Sequence, residues 1–326
     1  MQSNSSADKS NIVVLDGFTL NPGDLDWAPL QSLGNVKIFE HSTYEQISER
    51  AQNADIILSN KAIIDEGVIQ KLPKLKCICL MATGYNNIDI TAAKERNIAV
   101  CNAVGYSSDS VAQHVFALIL ALTNQVYKHH ESVQNGDWSK CRDFSYTLAP
   151  IQGLAGKTFG IYGFGKIGQK VGEIAHAFGM KVIAHHKHPE RDARPWVSFV
   201  GLKELFEQSD VLSLHAPLSE SNKGIVNATN LAKMKSTALL INTGRGGLVN
   251  ELDLKEALEK GFISGAGLDV LSQEPPPEDH PLYGVQNCII TPHNAWASRD
   301  ARQRLFNIII ENIEAFLDGK PQNMVY

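Results

Sequence analysis

The chain has little of what would send it to a membrane, a nucleic acid or a disulfide frame. Its longest apolar helical stretch, residues 115–122, falls far short of the roughly 20 residues that a bilayer-spanning helix needs. Residues 1–10 are polar and lack the apolar core of a signal peptide, so a disordered tail is expected there and a cytoplasmic location for the protein. Thirty Lys and Arg stand against 35 Asp and Glu with the signs mixed, a net charge of -5 that gives nucleic acid or an anionic membrane no reason to bind. The five cysteines, Cys77, Cys79, Cys101, Cys141 and Cys288, are odd in number and irregular in spacing, and several sit in apolar runs. They read as reduced, buried thiols; neither a disulfide frame nor a metal site is expected.

What the chain does have is alternation. Short apolar runs at 12–15, 36–39, 55–58, 76–80 and 98–101 are separated by amphipathic stretches, with helices predicted over 45–51 and 91–95. That punctuation predicts a parallel sheet covered on both faces, because parallel strands need crossover connections. At 326 residues there is room for a second such unit. A long helix is predicted over 107–123, capped by Ser107 or Ser108, with His114 read as a packed residue rather than a catalytic one. The weakly patterned segment 136–152 reads as a connection or an interface. A last amphipathic helix over Arg299–Leu317, with Leu305, Ile308, Ile309, Ile313 and Phe316 inward, has no strands of its own and must pack on a unit already built.

The most informative stretch is Gly163-Phe164-Gly165-Lys166-Ile167-Gly168, which follows the apolar run 158–162 and precedes a helical pattern and a second run at 181–184. Strand, glycine turn, helix and strand in that order are the context a dinucleotide site requires. Gly163 permits the turn, Gly165 lets backbone N–H groups approach a pyrophosphate, and Gly168 lets the helix pack closely on the sheet. The helix then offers its unpaired N–H groups and positive dipole end to the phosphates. About 20 residues on, where an acidic side chain is expected for the ribose hydroxyls, stands His185-His186-Lys187-His188, with Asp192 a substitute acid a little further along.

Later apolar runs end in polar residues: His215-Ala216-Pro217, Thr243-Gly244-Arg245, Asp269 and Thr291-Pro292-His293. In a parallel sheet such ends share one edge, beside the crevice where ligands bind. Hydride transfer to a 2-keto acid needs a cation to fix the carboxylate and polarise the carbonyl, and Arg245 suits that. It needs a proton donor titrating near neutrality, which His293 suits, and a carboxylate to stabilise the protonated imidazole, which Glu274 suits; singly, Arg245 also reads as a surface charge, Glu274 as a solvated loop acid and His293 as a capping residue. The turn Met81-Ala82-Thr83-Gly84, at another strand's end, either offers free N–H groups to a carboxylate or is an ordinary strand-to-helix loop.

Asn242-Thr243-Gly244-Arg245-Gly246, Gly267-Leu268-Asp269-Val270 with Glu274-Pro275, and Thr291-Pro292-His293 together resemble the signatures of the D-isomer-specific 2-hydroxyacid dehydrogenases. The resemblance runs from about Ile12 to Leu317. It implies an α/β protein of two doubly wound parallel-sheet domains, a Rossmann cofactor domain (106–293) inserted into a flavodoxin-like substrate domain (11–105 plus 294–326), and a homodimer. It implies Arg245, Glu274 and His293 as the catalytic set and a small 2-keto or 2-hydroxy acid as substrate. Substrate contacts would come from Ala82, Thr83, Gly84, Arg245 and Trp296. Cofactor contacts would come from Gly163, Gly165, Lys166, Ile167 and Gly168, from His186 and Lys187, from His215, Ala216, Pro217 and Asn222, and from Thr243, Gly244 and Asp269. Within the family, Ala82-Thr83-Gly84-Tyr85-Asn86-Asn87, Gly105-Tyr106-Ser107 and His293-Asn294-Ala295-Trp296-Ala297-Ser298 are similar to glycerate dehydrogenases, so hydroxypyruvate and D-glycerate are the expected pair, with glyoxylate and pyruvate as alternatives. With His186 and Lys187 where NAD-using members commonly carry aspartate, NADP is expected to be tolerated or preferred over NAD. A dinucleotide-sensing binding module, like the C-terminal-binding-protein corepressors that resemble the same enzymes, is the reading from another class. Steady turnover of a keto acid separates the two.

Overall fold

Short aliphatic runs bounded by polar turns become buried strands in the structure, a computed structural model that describes residues 9–326. The tail expected over 1–10 lies outside the described residues as far as residue 8. At its far end the expectation fails: the Ser10 carbonyl accepts the Asn35 N–H at 2.9 Å and so belongs to the fold. The chain divides into two compact units, one taking the described residues up to Ser107 together with Ala297–Tyr326, the other Ser108–Trp296.

The first unit is a parallel sheet of β1 (Asn11–Val14), β2 (Asn35–Ile38), β3 (Ile56–Ser59), β4 (Cys77–Leu80) and β5 (Ala99–Cys101) in the order β2-β1-β3-β4-β5, the flavodoxin-like arrangement. The central strands read as continuous apolar runs because helices cover both faces. Val13, Ile57, Ile78 and Val100 point into one core with Ile47, Val68, Ile69 and Ala93 from the crossover helices.

The helix Arg299–Leu317 belongs to this unit, its N-terminus capped by Ser298 Oγ, which accepts the Ala301 N–H. Leu305, Phe306, Ile309 and Ile313 are its buried face. Ile308 and Phe316, expected inward, are only half-buried, and Phe306 is buried instead, edge-on to Trp27 at 5.4 Å between ring centroids. Beyond the helix the chain runs antiparallel to β5, with Asn102 N–H on Asn323 O at 3.1 Å and Val325 N–H on Val100 O at 3.0 Å.

The second unit carries seven parallel strands: β6 (Thr158–Tyr162), β7 (Lys181–His185), β8 (Val197–Phe199), β9 (Val211–Leu214), β10 (Leu239–Asn242), β11 (Gly265–Leu268) and β12 (Cys288–Ile290). Their order is β12-β11-β10-β9-β6-β7-β8. From β6 the chain builds outward through β7 and β8, then returns to lay β9 on the other side of β6. That reversal opens a crevice at the strands' carboxyl ends, where doubly wound sheets bind ligands. The helix Ser108–Asn124 buries Val111, Val115, Leu118 and Ile119 on this sheet, with Phe116 stacked against Phe159 and Phe178 at 5.9 and 5.2 Å.

Candidate active site

The glycine turn sits at the switch point. Gly163 has φ +96°, which side-chain-bearing residues rarely adopt, and a Cβ there would lie 2.5 Å from Ala216 N in the loop after β9. The turn and the segment His215-Ala216-Pro217 therefore meet backbone to backbone. A Cβ on Gly168 would lie 2.3 Å from Gly163 O, so the helix Lys166–Ala177 seats against the strand end only because that position is bare. Gly165, the N-cap of this helix, is the contrast: a Cβ there would meet no protein atom within 4 Å. Bare backbone facing open space at a helix N-terminus is what a diphosphate fits. Ile167 packs its side chain on the core, leaving only its backbone to serve a cofactor.

At the end of β7 the unexpected histidine is held on both sides. His186 Nδ1 accepts the Phe164 N–H at 3.1 Å, so its proton is on Nε2, which donates to Asp192 Oδ2 at 2.8 Å. Arg191 gives that oxygen two further hydrogen bonds at 3.1 and 2.6 Å. Arg191 and then His186 hold the Asp192 carboxyl down at about 2, well below the ordinary carboxylate range. Asp192 is thus tied to the residue that occupies the expected acidic position, while Lys187 is exposed. Across the turn, His215 Nε2 lies 2.8 Å from Ser213 Oγ, and burial pushes this imidazole down to about 3. Asn222 braces the same loop, donating to Pro217 O at 2.8 Å and accepting the Ser219 N–H at 2.7 Å.

Three further strand ends carry the polar residues. After β10, the fully buried Asn242 donates to Arg245 O at 2.9 Å and accepts the Gly244 N–H at 3.1 Å. This holds a short turn that delivers Arg245 to the surface, where its guanidinium bonds only Gly244 O, at 2.7 Å, among the hydrogen bonds described. In the same turn Thr243 Oγ1 is buried with no hydrogen-bond partner, the one such side-chain atom among the described residues. A buried hydroxyl left without a partner costs about 1–3 kcal/mol, which a bound polar ligand would recover. After β11, Asp269 is buried and spends its carboxylate on three donors: Thr291 Oγ1 at 2.6 Å and the N–H groups of Asn294 and Ala295, each at 2.9 Å. Its carbonyl takes the His293 N–H at 2.9 Å. Asp269, expected beside the nicotinamide, is here the brace of the loop after β12. His114 sits behind that brace, 2.9 Å from Thr291 Oγ1, as the packed residue expected of it.

The braced loop holds His293 at φ +51°, a left-handed conformation that disfavours side chains with a Cβ and persists only where its surroundings impose it. Held so, His293 Nδ1 lies 2.6 Å from Glu274 Oε2, and Glu274 Oε1 accepts the Leu271 N–H at 3.1 Å. The carboxylate holds a proton on Nδ1, which leaves Nε2 to exchange a proton with a ligand. Trp296 follows two residues after Asn294 in the same loop.

In the first unit, Ala82 O accepts the Ala103 N–H at 3.0 Å and Thr83 O accepts Asn102 Nδ2 at 2.7 Å. The Thr83 hydroxyl donates to Ala103 O at 2.7 Å. Because C=O and N–H of a trans peptide point opposite ways, the N–H groups of Thr83 and Gly84 face away from β5. Of the two readings of this turn, that geometry suits a carboxylate site. Among the described residues no group of three or more His, Cys, Asp or Glu is arranged to hold a metal ion, and no helix is long and apolar enough to cross a membrane.

A doubly wound sheet with a glycine cradle at its switch point and a paired imidazole and carboxylate on the same edge defines a dinucleotide-dependent oxidoreductase. Residues 116–295 match the family model described as D-isomer specific 2-hydroxyacid dehydrogenase, NAD binding domain. The chain is 43% identical over 319 residues to a hydroxypyruvate reductase of Blautia hydrogenotrophica, covering 96% of this chain and 99% of that one. It is also 43% identical to a glycerate dehydrogenase of Methylorubrum extorquens, over 87% of this chain and 89% of the relative. Among solved structures, an acyclic imino acid reductase in complex with NADPH and D-Arg is similar, with a TM-score of 0.85, 33% identity and coverage of 97% and 100%. The chain belongs to the D-isomer specific 2-hydroxyacid dehydrogenases, oxidoreductases of 2-hydroxy acids.

Proposed function

We propose that the protein reduces hydroxypyruvate to D-glycerate, reversibly, with Arg245, Glu274 and His293 as its catalytic set. The observation that carries the chemistry is the 2.6 Å bond between Glu274 and His293 on the sheet edge that also holds the cradle. The two relatives at 43% identity support the substrate. When bound, the dinucleotide supplies or accepts the hydride. Arg245 pairs with the substrate carboxylate and polarises the 2-keto oxygen. Nε2 of His293 gives that oxygen its proton, and the Glu274 carboxylate stabilises the imidazolium beforehand. Trp296, in the loop that carries His293, borders the substrate. The N–H groups of Gly165, Lys166 and Ile167 would hold the cofactor, and Thr243 Oγ1 would be a hydrogen-bonding group for it or for the substrate.

Both NADH and NADPH serve. The Asp192 charge, which would otherwise repel a 2′-phosphate, is offset by Arg191 and hydrogen-bonded by His186, and the imino acid reductase at 33% identity is a relative bound to NADPH. The protein acts as a homodimer through the helices Val126–Gln134 and Asp137–Lys140 and the segment after them. There Tyr127 is 73% exposed, Trp138 52% and Phe144 89%. The segment is stiff enough to dock: Ser132 Oγ donates to Asp137 at 2.6 Å, and Trp138 Nε1 donates to Phe144 O at 3.0 Å. An apolar face of that kind calls for a second copy to cover it.

The test is a matrix of hydroxypyruvate, glyoxylate, pyruvate and 2-ketoisocaproate against NADH and NADPH, with His293→Ala as the control for chemistry. A clear preference for another keto acid would sink the substrate. A kcat/KM with NADPH below about a hundredth of that with NADH would sink the dual use, since that gap corresponds to about 2.7 kcal/mol. Sedimentation of Phe144→Ser beside the wild type tests the dimer.

A further inference from the structure

Glu251 opens the helix Glu251–Glu259 that follows the Arg245 turn. Its side chain turns away from its own helix and grips the loop that carries Glu274. Oε1 accepts the Ser272 N–H at 2.7 Å, and Oε2 accepts Ser272 Oγ at 2.6 Å. The same Oε2 lies 3.3 Å from His280 Nε2, and His280 Nδ1 accepts the Leu282 N–H at 3.3 Å, so the proton between histidine and carboxylate sits on Nε2. The His280 side chain is 3% exposed and the Glu251 side chain 12%. One carboxylate thus anchors the loop two residues before Glu274 and again six residues after it. Gly246, next to Arg245, presses on the same place: a Cβ there would fall 1.9 Å from Leu271 C and 2.4 Å from Ser272 N.

We infer that Glu251, with Ser272 and His280, is a positioning group that sets Glu274 against His293 and locks the Arg245 turn to the Glu274 loop. The inference rests on the catalytic reading of Glu274 and His293. Carboxylates in the first turn of a helix commonly serve only its dipole. That explanation leaves the bidentate grip on Ser272 and the buried histidine behind it without a purpose. A clamp explains both, because an imidazolium partner displaced by about 1 Å loses much of its effect.

The test compares wild type, Glu251→Ala, Glu251→Gln, Glu274→Gln and His293→Ala at a temperature where each is folded by circular dichroism. Glu251→Ala is expected to lower kcat for hydroxypyruvate about tenfold or more while leaving the KM for NADH within about twofold, because the cradle is untouched. The alkaline limb of its kcat/KM profile is expected to move to lower pH, in the direction of Glu274→Gln, because the imidazolium loses its partner. Glu251→Gln, which keeps one acceptor for Ser272, should fall between the two, and it decides the matter if the alanine variant does not fold. If Glu274→Gln and His293→Ala stay fully active, the catalytic reading is wrong. If those two lose activity while the Glu251 variants show an unmoved limb and an unchanged kcat, the clamp is wrong.

Discussion

Gly165 and Gly168 stand three residues apart in the same turn, and the structure gives their alanine variants opposite fates. A methyl on Gly165 meets no protein atom within 4 Å, and the residue's φ of -76° suits alanine. Two small effects then oppose each other: alanine is a poorer N-cap than glycine by about 0.5–1 kcal/mol, and it stabilises by about 0.4–1 kcal/mol through the unfolded chain. The net change is within about 0.5 kcal/mol, so the ligand-free Tm of Gly165→Ala should stay within about 2 °C of wild type. The cost appears on binding. In the proposed cradle the methyl would stand where the pyrophosphate approaches, and losing one or two charge-assisted hydrogen bonds, about 1.5–3 kcal/mol each, should weaken NADH binding by about 10- to 100-fold or more. In Gly168→Ala the methyl lands 2.3 Å from Gly163 O, about 1 Å inside ordinary contact, and neither partner is a side chain that could swing aside. Overpacking of that kind costs about 1–3 kcal/mol and should lower the ligand-free Tm by about 2–12 °C. Thermal melts without ligand, beside fluorescence titrations with NADH, separate the two. Unchanged NADH affinity in Gly165→Ala, or a Tm as low as that of Gly168→Ala, would refute the placement of the cradle.

Other variants probe the catalytic edge. Glu274→Gln should reduce kcat by about 10- to 100-fold with hydroxypyruvate, with KM for the dinucleotide nearly unchanged, measured at steady state. Thr243→Val removes a buried hydroxyl that has no protein partner, so the ligand-free Tm should hold or rise, while kcat/KM falls about 3- to 10-fold if that oxygen serves a ligand. His215 gives the fold a pH dependence: burial lowers its folded value to about 3, so the unfolded chain binds the extra proton as pH drops below the ordinary histidine value. Its contribution to stability is complete above about pH 6.5 and is lost toward pH 3, about 2 kcal/mol by pH 5, and His215→Asn should flatten Tm against pH over that range.

Most strands of both sheets were legible in the sequence because they are short aliphatic runs, the central ones buried on both faces. Thr158–Tyr162 and Arg299–Leu317 fall where periodicity placed them. The strand Val197–Phe199 was not legible: three residues behind a polar loop, with a serine at their centre, carry no pattern, and only pairing with Val182–Ala184 makes them a strand. The helices after Gln125 were equally faint, because Tyr127 and Trp138 face outward and break the amphipathic rule. At the site, residues at strand ends could be named from the sheet's polarity alone. Their braces could not. Asn242 looks like the polar end of a strand, and Glu251 like any first-turn acid; their roles depend on partners 2 to 29 positions away that only the fold brings near. Asp192 was visible as a substitute acid and His186 as the departure from the expected one, but the bonds that tie His186 to Asp192 by one ring nitrogen and to the turn by the other were not.

The segment 323–325 alongside β5 also has a consequence for how the first sheet behaves in a crowded solution. Its two edges are defended differently. β2, at one edge, alternates exposed and half-buried residues and carries Lys37, an outward charge that discourages another strand from adding on. β5, at the other, is Ala-Val-Cys, buried throughout and without a charge of its own. The antiparallel segment occupies its hydrogen-bonding edge, and Lys94 lies 4.8 Å over the Tyr326 ring as a clasp. Peeling those few residues away would expose an apolar strand edge, so the protection of that edge against edge-to-edge pairing hangs on residues 323–326 rather than on a charge in the strand itself.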